Sequence, residues 1–174
     1  MENINLGTNK SKRIAVANES FKLGELGSVI KMQFVQDSKT ASILQNLSKT
    51  DDESSFRLSL RLEKIKGNYA FPIIDVILNE EKSSEKSNLK NHLGGLALYG
   101  LENSTTPSVG VEGDGLYERL DVTEAFIHAS QDSNWSNEEF SIKLIPQREI
   151  DEDASLTIET VELWYEENFI EVGS

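Results

Sequence analysis

The strongest signal in the chain is alternation. Phe56, Leu58, Leu60 and Leu62 are interleaved with Arg57, Ser59, Arg61 and Glu63, the period-2 pattern of a strand with one buried and one wet face. The phase breaks at Lys64, which falls on the apolar side and is followed by Ile65; this predicts a bulge or a strand end. Ile30, Met32 and Phe34 repeat the alternation, as do Phe140, Ile142 and Leu144 ahead of Pro146. Leu156 and Ile158 hold one phase while Val161, Leu163 and Tyr165 hold the other, which predicts a bulge inside one long strand. Residues 73–78 and 93–99 read as strands buried on both faces, and 14–17 and 116–120 as shorter ones.

Helical signal is sparse. Asp121 and Glu124 have capping-box spacing, with Ala125, Phe126 and Ala129 giving a short helix its apolar face. Residues 38–47 predict another short turn of helix. Polar stretches at 51–55, 80–91 and 102–115 read as loops, none long enough to separate the chain into independent domains. The expected fold is all-β, a jelly-roll-like antiparallel β-sandwich of about eight strands with one or two short helices, residues 1–174 forming a single domain.

Composition narrows the function. The chain has 174 residues, 37% hydrophobic and 7% aromatic, and a domain of this size buries enough surface to need neither disulfide nor metal. Its formal charge is −13, from 30 acidic and 17 basic residues. That field repels nucleic acid, which requires clustered Lys and Arg, and disfavours anionic membranes. It keeps the chain soluble and suits the steering of a basic partner, but names none. Cysteine is absent, so thiolate metal sites and cysteine nucleophiles are excluded. The start, Met1-Glu2-Asn3-Ile4-Asn5, has neither the basic flank nor the apolar stretch of a secretory signal, and no apolar run reaches membrane-spanning length. A cytoplasmic location is the expectation, and glycosylation-type triplets at Asn18, Asn46, Asn103 and Asn134 read as chance.

Catalytic and metal chemistry finds little to work with. The two histidines, His92 and His128, lack the i, i+4 spacing of a helical metal site and read as surface or structural groups. Gly110, Gly113 and Gly115 lack the Gly-Lys-Ser/Thr of a phosphate loop and read as turn glycines using positive φ. Glu149 and Asp151-Glu152-Asp153 lack the spacing and glycine of a calcium loop and read as a solvated hairpin turn. No Gly-x-Ser-x-Gly elbow occurs. The chain is therefore read as a non-enzyme with no cofactor and no metal site.

Among the aromatics, Trp135, Trp164, Tyr99 and Tyr117 read as core or corner residues. The segment Gly67-Asn68-Tyr69-Ala70-Phe71-Pro72 stands apart because it sets two aromatics in a tight turn between two strands. Either the rings fold back onto the edge of the sandwich, or they project as a tip that enters a partner's pocket.

Several strings resemble, in order and spacing, the C-terminal domain of bacterial tyrosinases and polyphenol oxidases. Leu116-Tyr117-Glu118-Arg119-Leu120-Asp121-Val122-Thr123-Glu124 is similar to a strand-then-helix segment of that domain. Leu96-Ala97-Leu98-Tyr99-Gly100-Leu101 is similar to its strand ending in an aromatic and a glycine, and Phe140-Ser141-Ile142-Lys143-Leu144-Ile145-Pro146 to its strand closing in proline. Leu62-Glu63-Lys64-Ile65-Lys66-Gly67, with Ile74-Asp75-Val76-Ile77-Leu78-Asn79, is similar to its two strands flanking a short loop. In the second of these strands Ile73 and Ile74 stand where the plant domain has lysine and phenylalanine before aspartate and valine. Residues 156–165 correspond to its last strand, so the resemblance runs from Ile14 to Tyr165.

The resemblance implies a sandwich lying over a copper-containing catalytic domain, shielding the active site and able to insert a placeholder side chain. It implies a non-catalytic partner domain of a type-3 copper oxidase that aids its folding or latency. Tyr69 and Phe71 are the placeholder candidates, chosen by their position in the turn. Two alternatives remain open: a self-assembling, homo-oligomeric module pairing through sheet edges, and a lectin-like binder with Trp135 and Tyr117 as stacking residues.

Overall fold

The computed structural model describes residues 11–23, 28–50, 55–78, 91–105 and 113–167. Within them lie nine strands: β1 (Ser11–Ala17), β2 (Phe21–Lys22), β3 (Ser28–Phe34), β4 (Phe56–Gly67), β5 (Ile74–Leu78), β6 (His92–Leu96), β7 (Leu116–Asp121), β8 (Glu139–Pro146) and β9 (Leu156–Glu167). Two helices, α1 (Ser38–Leu47) and α3 (Thr123–Ser130), and one short turn of helix, α2 (Leu101–Thr105), complete them. The described strands form one antiparallel sheet in the order β6-β5-β8-β3-β1-β9-β4-β7, with β2 added to β9. The sheet curls until its two end strands meet. A Cβ on Gly94 of β6 would lie 3.2 Å from Leu120 Cδ2 of β7. The fold is all-β, a nearly closed barrel whose halves form two layers of one continuous sheet.

Alternation builds its inside. Leu58, Leu60 and Leu62 of β4, Ile30, Met32 and Phe34 of β3, and Ile142 and Leu144 of β8 are buried in one core cluster with Leu163 and Val161 of β9. The phase break at Lys64 is a bulge. Lys64 has φ +53° and the β4–β7 register shifts between Leu62 and Ile65. The expected bulge in β9 resolves differently. Its burial changes phase between Ile158 and Val161, yet its ladder with β4 keeps register from Phe56↔Glu167 to Gly67↔Leu156. The positive-φ residue is on β4, and the phase change of β9 lies opposite it in the ladder. Lys64 and Glu159 both turn outward there, 3.6 Å apart.

Tertiary context revises several local expectations. Residues 38–47 form a full ten-residue helix capped by Asp37, whose Oδ1 accepts from Thr40 N at 2.7 Å. The second helix starts at Thr123, with Val122 at the N-cap and no side-chain cap bond, so the capping box is not formed. Asp121 instead accepts from the Thr123 amide at 3.1 Å and hydroxyl at 2.7 Å. The Thr123 hydroxyl in turn accepts from Leu58 N at 2.9 Å, fastening α3 to β4. The 102–115 stretch is helical up to Thr105, and 106–112 lie outside the described residues, as do 51–54 and 79–90. Strand β6 ends at Leu96 and β5 begins at Ile74, so Tyr99 and Ile73 fall outside the strands expected to bury them. The acidic turn at 151–153 is not a hairpin: β8 pairs with β3 and β5, whereas β9 pairs with β1, β2 and β4. It carries the chain from one half of the sheet to the other.

Asp37 supplies a testable pH dependence. Its carboxylate meets Lys12 Nζ at 2.7 Å and the amide of Thr40, and these bonds hold its pKa down to about 2 from 3.8. A pKa depressed in the folded state adds stability at pH above its unfolded value and loses it as pH falls through the folded one. Asp37→Asn preserves an N-cap of similar quality. The variant is expected to lose the part of the acid unfolding limb that lies between pH 3.8 and about 2, read by urea midpoints across that window. An unchanged slope would show that the Lys12 pair contributes nothing.

Candidate functional site

Three connections meet at one end of the barrel. The first is the turn from β4 to β5, carrying Tyr69, Ala70, Phe71, Pro72 and Ile73; the second runs from β6 into α2, and the third from β8 to β9. Asn68 pins the first to the third: its Nδ2 donates to Asp153 O at 2.9 Å, and its Oδ1 accepts from Ser155 N at 2.7 Å. Gly67 N donates to Thr105 Oγ1 at 3.0 Å, tying the first to α2, and Gln147 N donates to Ile73 O at 2.9 Å. Gly67 sits where the turn packs tightly, since a Cβ would stand 2.6 Å from Leu101 Cδ2, 3.0 Å from the Ser155 carbonyl oxygen and 3.1 Å from Phe71 Cε2. Loops held this way have little left to order when they bind, which lowers the entropic cost of docking.

Between them lies a groove of about 500 Å³, its floor and walls including Tyr69, Phe71, Ile73, Tyr99, Glu102 and Arg148. Tyr99 is 85% exposed, Ile73 43% and Tyr69 42%, so three of the five strongly exposed large hydrophobics among the described residues line this one groove. Grouped exposed apolar side chains mark interaction surfaces, whereas scattered ones need no explanation. Gly100, at φ +76°, makes the reversal after Tyr99 that leaves the ring outside the sheet.

The two turn aromatics differ in placement. Phe71 is half-buried, packed against the core and folded back over Gly67. Tyr69 stays outside, its hydroxyl donating to Asp151 Oδ2 at 3.4 Å. The negative field of Asp151, that hydrogen bond, slight burial, and the further charges of Asp153 and Glu102 all raise the phenol pKa above its ordinary 10. Tyr99 and Ile73 belong to the same surface, although the apolar runs around them predict buried strands. The available signal was the glycine directly after Tyr99, which ends a strand more readily than it continues one.

Other residues singled out in the sequence lie elsewhere. Trp135 closes an aromatic circuit with Phe34 and Phe126, both at 5.9 Å between centroids, and donates from Nε1 to Asn137 Oδ1. Tyr117 is exposed on β7. Trp164 lies beneath the Arg61 guanidinium, 4.3 Å from its ring. His92 meets Asp75 Oδ1 at 3.1 Å, and His128 meets Glu124 at 3.8 Å. Gly115 uses φ +79° as a turn glycine, Gly113 opens the last described stretch, and Gly110 lies outside the described residues. Among the described residues no three His, Cys, Asp or Glu side chains gather into a metal-binding group, and no helix is long and apolar enough to cross a membrane.

A family model described as a domain of unknown function, DUF7868, matches residues 10–166. Tyrosinase HcTyr1 of Hahella sp. (strain CCB-MM4) is 29% identical over 151 residues, which are 86% of this chain and 31% of that enzyme. The chain thus spans under a third of the length of the curated relative it matches, and the resemblance read from its motifs is to that class of protein. Among solved structures, a recombinantly expressed latent aurone synthase (polyphenol oxidase) aligns with TM-score 0.44 and 15% identity, over 92% of this chain and 26% of that one. A family two carbohydrate esterase from Cellvibrio japonicus aligns with TM-score 0.30 and 9% identity, over 93% of this chain and 35% of that one.

Proposed function

The chain belongs to the DUF7868 family of domains, and from that footing we propose that it is a non-catalytic companion domain of a type-3 copper oxidase, packing over the enzyme's active-site mouth. The observation that carries this reading is the sequence match to a tyrosinase, 29% identical over 86% of this chain and only 31% of the enzyme. The shared portion has the size of one accessory unit, and what remains of the enzyme is large enough to hold separate catalytic machinery. The groove at the barrel end supports the reading, since it offers rigidly held aromatics where a protein partner can bury them. Tyr69 is the placeholder side chain, exposed at the tip of the turn, and Phe71 props the turn that presents it.

The test is phenol oxidation by a purified tyrosinase catalytic unit titrated with this protein. The expected result is saturable inhibition accompanied by a 1:1 complex in size-exclusion chromatography. Tyr69→Ala combined with Phe71→Ala is expected to raise the half-inhibitory concentration about tenfold or more, the range of an interface hot spot. Equal inhibition by that double variant would remove the placeholder role. Absence of both complex and inhibition would remove the companion role.

A further inference from the structure

The walls of the groove also carry information about what it accepts. Its exposed rings are phenols, whose electron-rich faces attract cations. Glu102 is part of the lining, Asp151 accepts from the Tyr69 hydroxyl, and Asp153 adds its field at the same ring. Exposed Glu149 and Glu152 lie in the same connection. Arg148 is the one cation among the described lining residues. Apolar walls with a negative rim complement a positive charge on an apolar stem, and lysine and arginine are built that way. The same chemistry is already realised on the outer face of the barrel, where Arg61 lies over Trp164 with Glu166 Oε1 at 2.9 Å as its counter-ion.

We propose that the groove seats a basic side chain, an arginine or lysine flanked by apolar residues on a loop of the docking protein, between the Tyr69 and Tyr99 walls with Glu102 and Asp151 as counter-ions. This rests on the companion reading for the identity of the partner, while the chemistry of the groove stands by itself. An acidic chain of net charge −13 would steer such a partner from a distance, and the groove would fix its register on contact. Affinity would then fall with ionic strength, as it does for exposed charge complementarity.

The chemistry is tested with three short blocked peptides of sequence Gly-Leu-X-Leu-Gly, X being arginine, citrulline or glutamate, titrated into the full-length 15N-labelled protein. The arginine peptide is expected to bind at about millimolar Kd, shifting amides of residues 97–102 and 148–153. Citrulline keeps the shape without the charge and is expected to bind at least about fivefold more weakly, glutamate not measurably. Glu102→Gln with Asp151→Asn is expected to erase the difference between arginine and citrulline, and Tyr99→Ala to weaken the arginine peptide about tenfold. Equal binding of arginine and citrulline, shifts confined to another surface, or no arginine binding would each overturn the proposal. The double-acid variant is then carried into the tyrosinase assay. Undiminished, salt-independent inhibition by it overturns the basic-side-chain docking but leaves the companion reading intact. Selective arginine binding with no effect on any oxidase does the reverse.

Discussion

Phe126→Ala is expected to destabilise the protein by about 4 kcal/mol, within the range for a large aromatic removed from a core. Phe126 is fully buried on α3. Its ring stands edge-on to Phe140 at 5.2 Å and 88° and to Trp135 at 5.9 Å and 84°. Phe34 closes the circuit, 5.0 Å from Phe140 and 5.9 Å from Trp135. The substitution loses the transfer free energy of the ring, leaves a cavity whose walls are themselves rigid rings, and breaks two edge-to-face pairs of about 1 kcal/mol each. For a chain of this size each 1 kcal/mol moves the melting temperature by about 2–4 °C, so a drop of roughly 10 °C is expected. Near-ultraviolet circular dichroism from Trp135 should weaken with it. Phe126→Leu, which keeps most of the volume, is expected to lose less than half as much. A loss below about 1 kcal/mol for the alanine variant would mean that α3 is not held by this ring.

Gly115→Ala is expected to be nearly as damaging, about 3 kcal/mol, although it adds only a methyl group. Gly115 has φ +79°, and a Cβ there would stand 2.7 Å from the carbonyl oxygen of Ile65. The close approach occurs where β4 bulges after Lys64 and β7 begins, so the atom that must give way is backbone held in two ladders. Left-handed strain contributes about 1–2 kcal/mol for a residue with a Cβ, and displacing the strand adds the rest. Gly100 is the control: its φ is +76°, but nothing lies within 4 Å of its Cβ position. Gly100→Ala is expected to show the strain alone, about 1 kcal/mol. Chemical denaturation of the two variants side by side isolates the steric share. Equal losses would show that the Ile65 contact relaxes freely.

The alternating residues made the strands legible. In β3, β4 and β8 every apolar residue of one phase is buried, because a pleated backbone sends successive side chains to opposite faces whatever lies beyond. The Lys64 bulge was equally visible, since a lysine cannot occupy an inward position and the strand had to skip it. Apolar runs without alternation were less informative. Ile73 and Tyr99 look like continuations of buried strands, yet β5 starts after the one and β6 ends before the other, leaving both rims exposed. The one local cue for Tyr99 is the glycine that follows it, and hydrophobicity alone does not set either residue apart from Ile74 or Leu96. The acidic turn before β9 likewise reads as a hairpin because adjacency in sequence is the only cue to pairing, and here the neighbours come from elsewhere in the chain.

The same division holds for the site. From the sequence came the turn with Tyr69 and Phe71, the acidic balance and the relation to tyrosinases. Each is a property of residue type and order within one segment. The groove came only from the tertiary structure, since it is assembled by three connections separated by up to about half the chain and fastened by Asn68, Thr105 and Gln147. Exposure was decided there too: Phe71 and Tyr69 sit two residues apart, but Phe71 found apolar surface at Gly67 and Leu101 while Tyr69 found a carboxylate at Asp151. The alternation of side chains is a local consequence of backbone geometry and can be read in order along the chain. Which loops share an end of the barrel depends on the pairing of distant strands, and no stretch of sequence contains that by itself.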